Sequence, residues 1–472
     1  MAEEEPGTEH VDLLVIGWGK GGKTLAGSMA RAGKRVALVE QSARMAGGSC
    51  INVACVPTKT LIHDADSRRP GDDPQAFFDT AVQRRDGVTA AMRRKNFQML
   101  DDLDSVLLVS GRAVFTGPRE VEVTAGPDRL RISADTVVVN TGSAPSLPPA
   151  EGKGAIEGAV VGGRIHDSIT LQHVQPFPAR LTVIGGGYVG LEFASMFAHF
   201  GAEVTVLDRG PRPLRHEDPD VAAVAANILA EDGARIVSGA AVHRIEDGEA
   251  AAVVHYEADG QQRTVEADAV LLALGRTPAT AGLNLAAAGI ETDERGHIRV
   301  DDRLRTSAAG VFAAGDVKGG PLFTYVSLDD HRIIADQLTG TGTRSTADRE
   351  VLPYTVFLTP PLARVGLTEE QAREQAAERG WDVKVAVKEV AQIAAMPRPK
   401  IEAEPRGIVK VVVDGGTDRV LGAALMHVES QEVINLVALA MRHGVTASEL
   451  RDSVYTHPSA TEALNEVLGE LA

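Results

Sequence analysis

The chain has 472 residues, 44% of them hydrophobic, which is room for about three domains of ~150 residues with cores that need no covalent staples. Its formal charge of −17 argues against a nucleic-acid partner, because such proteins neutralise phosphates with Lys and Arg. No apolar run reaches the ~18 residues of a membrane span, and the opening Met-Ala-Glu-Glu-Glu lacks the basic and apolar regions of a signal peptide, so a cytoplasmic protein with no membrane partner is expected.

Residues 11–16 are a short apolar run that predicts a buried strand. It enters Gly-Trp-Gly-Lys-Gly-Gly, with Gly17, Gly19 and Gly22, then a helical pattern to Gly33 and a second strand, 35–39, ending at Glu40. This strand–turn–helix–strand unit with a terminal acid matches the dinucleotide fingerprint. Gly17 permits the tight turn, Gly19 lets backbone approach a pyrophosphate, and Gly22 lets helix and strand pack closely. The helix N-terminus offers unpaired N–H groups to the phosphates, and Glu40 can accept hydrogen bonds from a ribose.

The only two cysteines, Cys50 and Cys55, come next. In a reducing compartment a close pair points to redox or metal chemistry, although a structural zinc would need four ligands. Two free buried thiols are the plain alternative. An ideal helix holds Cα atoms five residues apart at about 8–9 Å, whereas a disulfide wants roughly 4.4–6.8 Å. A bridge would therefore require a distorted turn, and Pro57 also fits poorly inside a regular helix. Such strain makes a disulfide easier to reduce. The basic run Arg93-Arg94-Lys95 predicts a solvated helix face.

The opening pattern recurs downstream. A strand at 181–184 leads into Gly185, Gly187 and Gly190, a helix runs to Gly201, and the next strand ends at Asp208. Gly17, Gly22, Gly33 and Glu40 each have a counterpart 168 positions on. One fingerprint is weak evidence, but two in matching register are strong. Two further strands end alike, at Asn140-Thr141-Gly142 before Pro145 and at Gly275-Arg276 before Pro278. They predict the exits of two nucleotide domains, and residues 311–314 before Gly315-Asp316 form a third such element. From 349 onward strands at 384–387, 409–413 and 421–425 mix with helices at 369–379 and 431–442. The expected fold is α/β, with two Rossmann-like nucleotide-binding domains and a C-terminal α+β domain. Its segments are 1–150 and 273–348 for the first nucleotide domain, 151–272 for the second, and 349–472.

Gly47 to Lys59 reads Gly-Gly-Ser-Cys-Ile-Asn-Val-Ala-Cys-Val-Pro-Thr-Lys. With the two fingerprints, this motif resembles the class I pyridine nucleotide–disulfide oxidoreductases, over nearly the whole chain. That family usually has Thr in place of Ser49 and Gly in place of Ala54, both small-for-small changes. The resemblance implies FAD at the first fingerprint, held by Gly17, Gly19, Gly22, Glu40, Gly48, Thr141, Gly142 and Gly315, with Asp316 on the ribityl chain. It implies NADH or NADPH at the second, with Gly185, Gly187, Gly190, Asp208, Arg209, Gly275 and Arg276. It makes Cys50–Cys55 a redox-active disulfide, with Cys55 beside the flavin and Cys50 facing the substrate. It pairs Lys59 with Glu192 near the flavin and places Tyr188 over the nicotinamide pocket. Finally it makes the C-terminal domain a dimerisation domain, from which His457, oriented by Glu462, serves the active site of the other subunit of a homodimer. Without the resemblance these would read as unrelated helix charges, a packing ring and an exposed His.

The acid Asp208 favours a ribose hydroxyl and hence NADH, while Arg209, Arg212 and Arg215 could accept a 2′-phosphate. Mercuric reductases are similar but generally carry Tyr in place of His457, which counts against mercury. Residues 17–26, 323–330 and 353–362 look like the reactive-chlorine-resistance flavoproteins, a group linked to oxidant defence and copper(II) reduction. That likeness implies a small-molecule or metal-ion acceptor, with no fixed metal site and Cys50 and Cys55 as transient copper ligands. A low-molecular-weight disulfide reductase, a dihydrolipoamide dehydrogenase and a nucleotide-bound redox sensor with little turnover are the alternatives.

Overall fold

The computed structural model describes residues 7–471; the acidic opening read above at 1–5 lies outside them. The chain forms two compact units. One takes residues through Leu61, Thr80–Ser146 and Arg276–Asp348, and the other takes Ile62–Asp79, Leu147–Gly275 and Arg349 onward.

In the first unit, strand Gly7–Ile16 lies between Val36–Glu40 and Asp128–Val139, parallel to both. Val106–Ser110 and Val311–Ala313 extend the parallel sheet on either side. Leu14 and Ile16 pack into one core and Leu13 and Val15 into another. Burial on both faces is why residues 11–16 are continuously apolar rather than alternating. The antiparallel hairpin Arg112–Gly117 and Glu120–Ala125, beside Asp128–Val139, carries no sequence signal recognised above. Neither does the length of helix Pro74–Asp101, 28 residues. On that helix Arg94 and Lys95 are exposed. Arg93 corrects the expectation of a solvated run: it is half-buried and donates to the Arg44 carbonyl at 3.1 Å and Asn52 Oδ1 at 3.4 Å.

The second unit repeats the scheme. Ala234–Ser238, Glu203–Asp208, Arg180–Ile184, Ala269–Leu272 and Ile165–His166 form a parallel sheet in that order. The strand expected to run through 274 closes at Leu272. Helix Tyr188–Phe200 ends at Gly201, whose φ of 104° is one that glycine adopts freely. Phe177, Phe197 and Phe200 gather around the buried ring of Phe78, with centroids 5.2–5.7 Å away. An antiparallel meander, Ala241–Asp247, Ala252–Ala258 and Gln261–Ala267, follows.

The C-terminal segment of the same unit is a five-stranded antiparallel sheet. Its order is Tyr354–Val356, Leu362–Gly366, Val420–Met426, Ile408–Asp414 and Val383–Glu389. The first two strands were not anticipated, since Pro353, Pro360 and Pro361 break their pattern. Helix Glu369–Arg379 starts where expected because Thr368 and Gln371 form a capping box. The second helix spans Ser430–His443.

The two fingerprints are duplicated in hydrogen bonds as well as in letters. Gly17 N–H donates to Val39 O at 2.8 Å and Gly185 N–H to Leu207 O at 2.9 Å. Asn140 N–H donates to Ile16 O at 2.8 Å and Ala273 N–H to Ile184 O at 2.9 Å. A Cβ on Gly17 would meet Asn140 O at 2.5 Å, and one on Gly185 would meet Ala273 O at 2.4 Å. Each first glycine is thus required by the neighbouring strand exit, and both have positive φ.

Candidate active site

The helix that would hold the cysteines is broken between them. Ser49–Asn52 forms one short turn, Val53 leaves helical geometry at φ −142°, and a new helix, Cys55–Ala65, begins. This is the distorted turn that a bridge over this spacing needs. Pro57 corrects the expectation of a misfit: it is the third residue of the new helix, where a missing N–H breaks no intrahelical bond. Asn52 secures the break by donating to the carbonyls of Ala46 and Gly48, both at 2.9 Å.

Both cysteines are thiols, Cys50 half-buried and Cys55 exposed. They are hydrogen-bonded to each other, and this bond, then burial, pushes the Cys50 thiol far up. Two groups unmarked by the sequence oppose that shift. Thr324, first residue of helix Thr324–Thr339, lies 3.7 Å from Cys55 Sγ and also hydrogen-bonds Cys50. Lys23 acts on Cys50 through its charge, while burial and then Lys20 push its own ammonium down to about 8. Lys59 stands one helical turn after Cys55, on the same side.

Around the first fingerprint, a Cβ on Gly19 would strike Asn140 Oδ1 at 2.4 Å, and one on Gly22 would meet Val15 Cγ1 at 2.7 Å. Gly48, at φ 79°, lies directly on Gly19, whose Cα a Cβ there would meet at 2.9 Å. The buried Asn140 is the organising side chain that sequence reasoning missed. It accepts from Gly22 N–H at 2.8 Å and donates to Ala314 O at 2.6 Å. Glu40 accepts from the N–H groups of Trp18 and Ser42, at 3.0 and 3.1 Å, and burial pushes its carboxyl up. Two carboxylate oxygens offer about four acceptor positions, so capacity for a ribose is left. Asp316 accepts from Ser143 Oγ at 2.5 Å, and Arg276 donates to Ser143 Oγ and O, both at 2.7 Å. Thr141 Oγ1 is buried without a protein partner, and Gly142 is open on its Cβ side. An orphaned hydroxyl beside glycine backbone and an acid fits the donor set that a flavin dinucleotide requires.

At the second fingerprint Gly187 is exposed with nothing near its Cβ position, while a Cβ on Gly190 would overlap Gly185 O at 2.0 Å. The first is an open cradle and the second a packing requirement. Asp208 lies against Gly186, and Arg209 is exposed. Arg212 is committed to its own loop, donating to the Leu214 and Glu217 carbonyls at 3.3 and 2.8 Å. Gly275 follows the strand exit at φ 108°.

Tyr188, first residue of its helix, bonds to Tyr354 Oη at 3.0 Å and Glu217 Oε1 at 3.2 Å. Burial and Glu217 push its phenol up to about 12. Glu192 is buried and accepts from Phe357 N–H at 2.9 Å. The side chain of His457 is 71% exposed, and its Nδ1 lies 2.9 Å from Glu462 Oε1. Burial works against ionising Glu462, but Ser459 N–H and His457 hold its carboxyl below the usual range. A carboxylate on Nδ1 leaves Nε2 as the acceptor of the neutral ring. Among the described residues no cluster of three or more His, Cys, Asp or Glu could hold a metal ion, and no helix is long and apolar enough to cross a membrane.

Twin dinucleotide cradles with a vicinal thiol pair define a flavin-linked disulfide oxidoreductase. Residues 11–330 match the pyridine nucleotide-disulphide oxidoreductase family and 352–468 match its dimerisation domain, so the chain belongs to that family and is an FAD-dependent oxidoreductase that uses NAD(P)H. Among individual proteins, it is 44% identical to the probable pyridine nucleotide-disulfide oxidoreductase RclA of Escherichia coli, over 96% of this chain and 98% of that one. It is 33% identical to a mercuric reductase of Lysinibacillus sphaericus, over 97% of this chain and 82% of that one. It is 34% identical to a dihydrolipoyl dehydrogenase of Thermus scotoductus, over 96% of each. A solved structure of the Cu(II) complex of the HOCl-induced flavoprotein disulfide reductase RclA from E. coli superposes with a TM-score of 0.91 at 43% identity, covering 98% of this chain and all of that one.

Proposed function

We propose that this enzyme draws electrons from NADH and delivers them, through Cys50 and Cys55, to Cu(II) or a reactive oxidant in a defence role in the cytoplasm. The observation that carries the reading is the pair of hydrogen-bonded thiols at the break in their helix, one of them exposed. The copper and oxidant assignment leans on the likeness to RclA, whose solved complex holds Cu(II) and which is HOCl-induced.

A bound FAD would supply the chemistry that links hydride from the nicotinamide to reduction of the disulfide. Gly142 leaves backbone open to it, Gly17, Gly19, Gly22, Gly48 and Gly315 let the surrounding chain close up into the shape of the cradle, and Glu40, Thr141 and Asp316 are its polar partners. Gly185, Gly187, Gly190, Gly275, Asp208 and Arg209 serve the nicotinamide nucleotide. NADH is favoured because Asp208 stands at the strand end while the guanidinium of Arg212 is already committed to backbone carbonyls. Lys59 and Glu192 are the charged residues that the family resemblance assigns to ordering the reactive centre.

The Cys50 thiol is pushed up by Cys55 and by burial, against release of its proton. It therefore needs a base. The partner subunit's His457, oriented by its own Glu462, takes that role in a homodimer. With copper as substrate the dithiol gives one electron to each of two Cu(II), loses two protons and closes to a disulfide. Soft thiolates suit the Cu(I) product.

NADH oxidation by the purified enzyme, with and without Cu(II), is the test. Copper should stimulate turnover, and Cys50→Ser should abolish the stimulation by at least about 100-fold, the scale expected on losing an essential nucleophile. No stimulation, or stimulation that survives Cys50→Ser, refutes the reading. The His457–Glu462 dyad favours a second reading, a low-molecular-weight disulfide reductase, which side-by-side assays with small disulfides and dihydrolipoamide would reveal.

A further inference from the structure

The glycine cradle at 185–190 carries a bulky phenol at its lip, because Tyr188 is the first residue of the helix whose N-terminus would face a pyrophosphate. Its hydroxyl enters a network of unusual burial. The Glu217 side chain is fully buried and ion-paired with Arg364, itself 5% exposed, at 3.1 Å from Oε2. Oε1 of Glu217 accepts the Tyr354 hydroxyl at 2.6 Å and also lies 3.2 Å from Tyr188 Oη. The two phenol oxygens are 3.0 Å apart, and their rings lie 5.4 Å apart between centroids.

A phenol has one proton to donate. Tyr354 makes the shorter bond to Glu217, so its oxygen is left to accept from Tyr188. Glu217 is then satisfied by Arg364 and Tyr354 together, and Tyr188 is held mainly by a neutral hydroxyl. A buried carboxylate stripped of its donors would resist such a departure strongly. One that keeps both Arg364 and Tyr354 does not.

We propose that Tyr354 and Glu217 are positioning residues forming a releasable latch, which parks Tyr188 at the mouth of the nucleotide cradle and frees it when the nicotinamide half of the cofactor enters. This inference rests on the assignment of NAD(P)H to the second fingerprint. The latch has a consequence that simple packing would not produce. Deleting the Tyr354 hydroxyl makes Tyr188 the sole phenol donor to a buried carboxylate, so its hold tightens rather than loosens. Bonds to charged groups are roughly twice as strong as neutral ones.

Equilibrium titration of the FAD-loaded enzyme with NAD+ and, separately, with ADP-ribose tests this, since ADP-ribose fills the cradle without a nicotinamide ring. In Tyr354→Phe the Kd for NAD+ should rise roughly 3- to 30-fold while that for ADP-ribose stays within about twofold. Tyr188→Phe removes the latched hydroxyl, so NAD+ should bind several-fold more tightly, again with ADP-ribose unchanged. The double variant should lose the penalty of Tyr354→Phe. An unchanged or tighter NAD+ Kd in Tyr354→Phe, or an unchanged or weaker one in Tyr188→Phe, overturns the latch. Should Tyr354→Phe not fold, Tyr188→Phe decides alone. Failure of the wild-type enzyme to bind ADP-ribose at all would instead overturn the nucleotide assignment itself.

Discussion

Glycines in the two fingerprints look interchangeable as letters but do different work. Gly190 is demanded by the protein's own backbone, because a Cβ there would sit 2.0 Å from Gly185 O, whereas Gly187 borders open space. Gly187→Ala should therefore fold with an unchanged melting temperature yet raise the KM for NADH at least about tenfold, by blocking close approach of the pyrophosphate. Gly190→Ala should lower the melting temperature by several degrees, as expected for overpacking of about 1–3 kcal/mol. Thermal melts alongside cofactor kinetics separate the two. Equal melting temperatures for both variants would contradict the distinction.

At the scale of elements, the second unit contains a charge network that joins the end of one helix to two others. His199, on the last turn of Tyr188–Phe200, places Nδ1 3.0 Å from Asp66 and Nε2 3.4 Å from Asp232, the residue that caps helix Pro219–Glu231. Arg406 also binds Asp232, at 2.6 Å. Burial alone would push the imidazole down, but Asp232 and Asp66 outweigh it and hold it up at about 9. A raised folded-state pKa means that the stabilisation is complete below about 6.5, the ordinary His value. It is lost as pH climbs through about 9. Unfolding free energy should fall by on the order of 2–3 kcal/mol between pH 6.5 and 9.5 from this group. His199→Gln should flatten that part of the profile. Denaturant titrations at the two pH values check this, and an equal fall in wild type and variant would count against it.

For the whole molecule, the question is whether one chain suffices. The match to the dimerisation domain covers 352–468, and within it Val454 is 98% and Leu439 56% exposed, apolar surface of the kind an interface covers. If the partner's His457 completes each site, Cys50→Ser and His457→Ala chains mixed under subunit exchange should complement. In each mixed dimer one site carries both lesions and the other carries none. With random pairing about half the dimers are mixed, so activity should recover to about one quarter of wild type. Absence of recovery, despite mixed dimers shown by mass spectrometry, would mean that His457 acts within its own chain or not at all.

Much of the architecture was legible in the sequence because it is written locally. Apolar runs of strand length, glycines at fixed offsets and a terminal acid recur 168 residues apart, and each feature follows from a backbone requirement confined to about thirty residues. The unusual turn at Cys50 and Cys55 was likewise implied by helix geometry over five positions. What escaped was set by distance along the chain. Thr324 reaches Cys55 across 269 positions, Asn140 reaches Gly22 across 118, and Tyr354 meets Tyr188 across 166. A lone Thr, Asn or Tyr carries no periodic signal that marks such a partner. The strands Tyr354–Val356 and Leu362–Gly366 were hidden for a related reason, since short proline-flanked segments become strands only through the neighbours they pair with. The sequence by itself thus determined the two cradles and the thiol pair, whose chemistry resides in adjacent residues. Only the tertiary structure decided which side chains tune the thiols and hold Tyr188, because those depend on long-range packing that brings single polar groups within hydrogen-bonding reach.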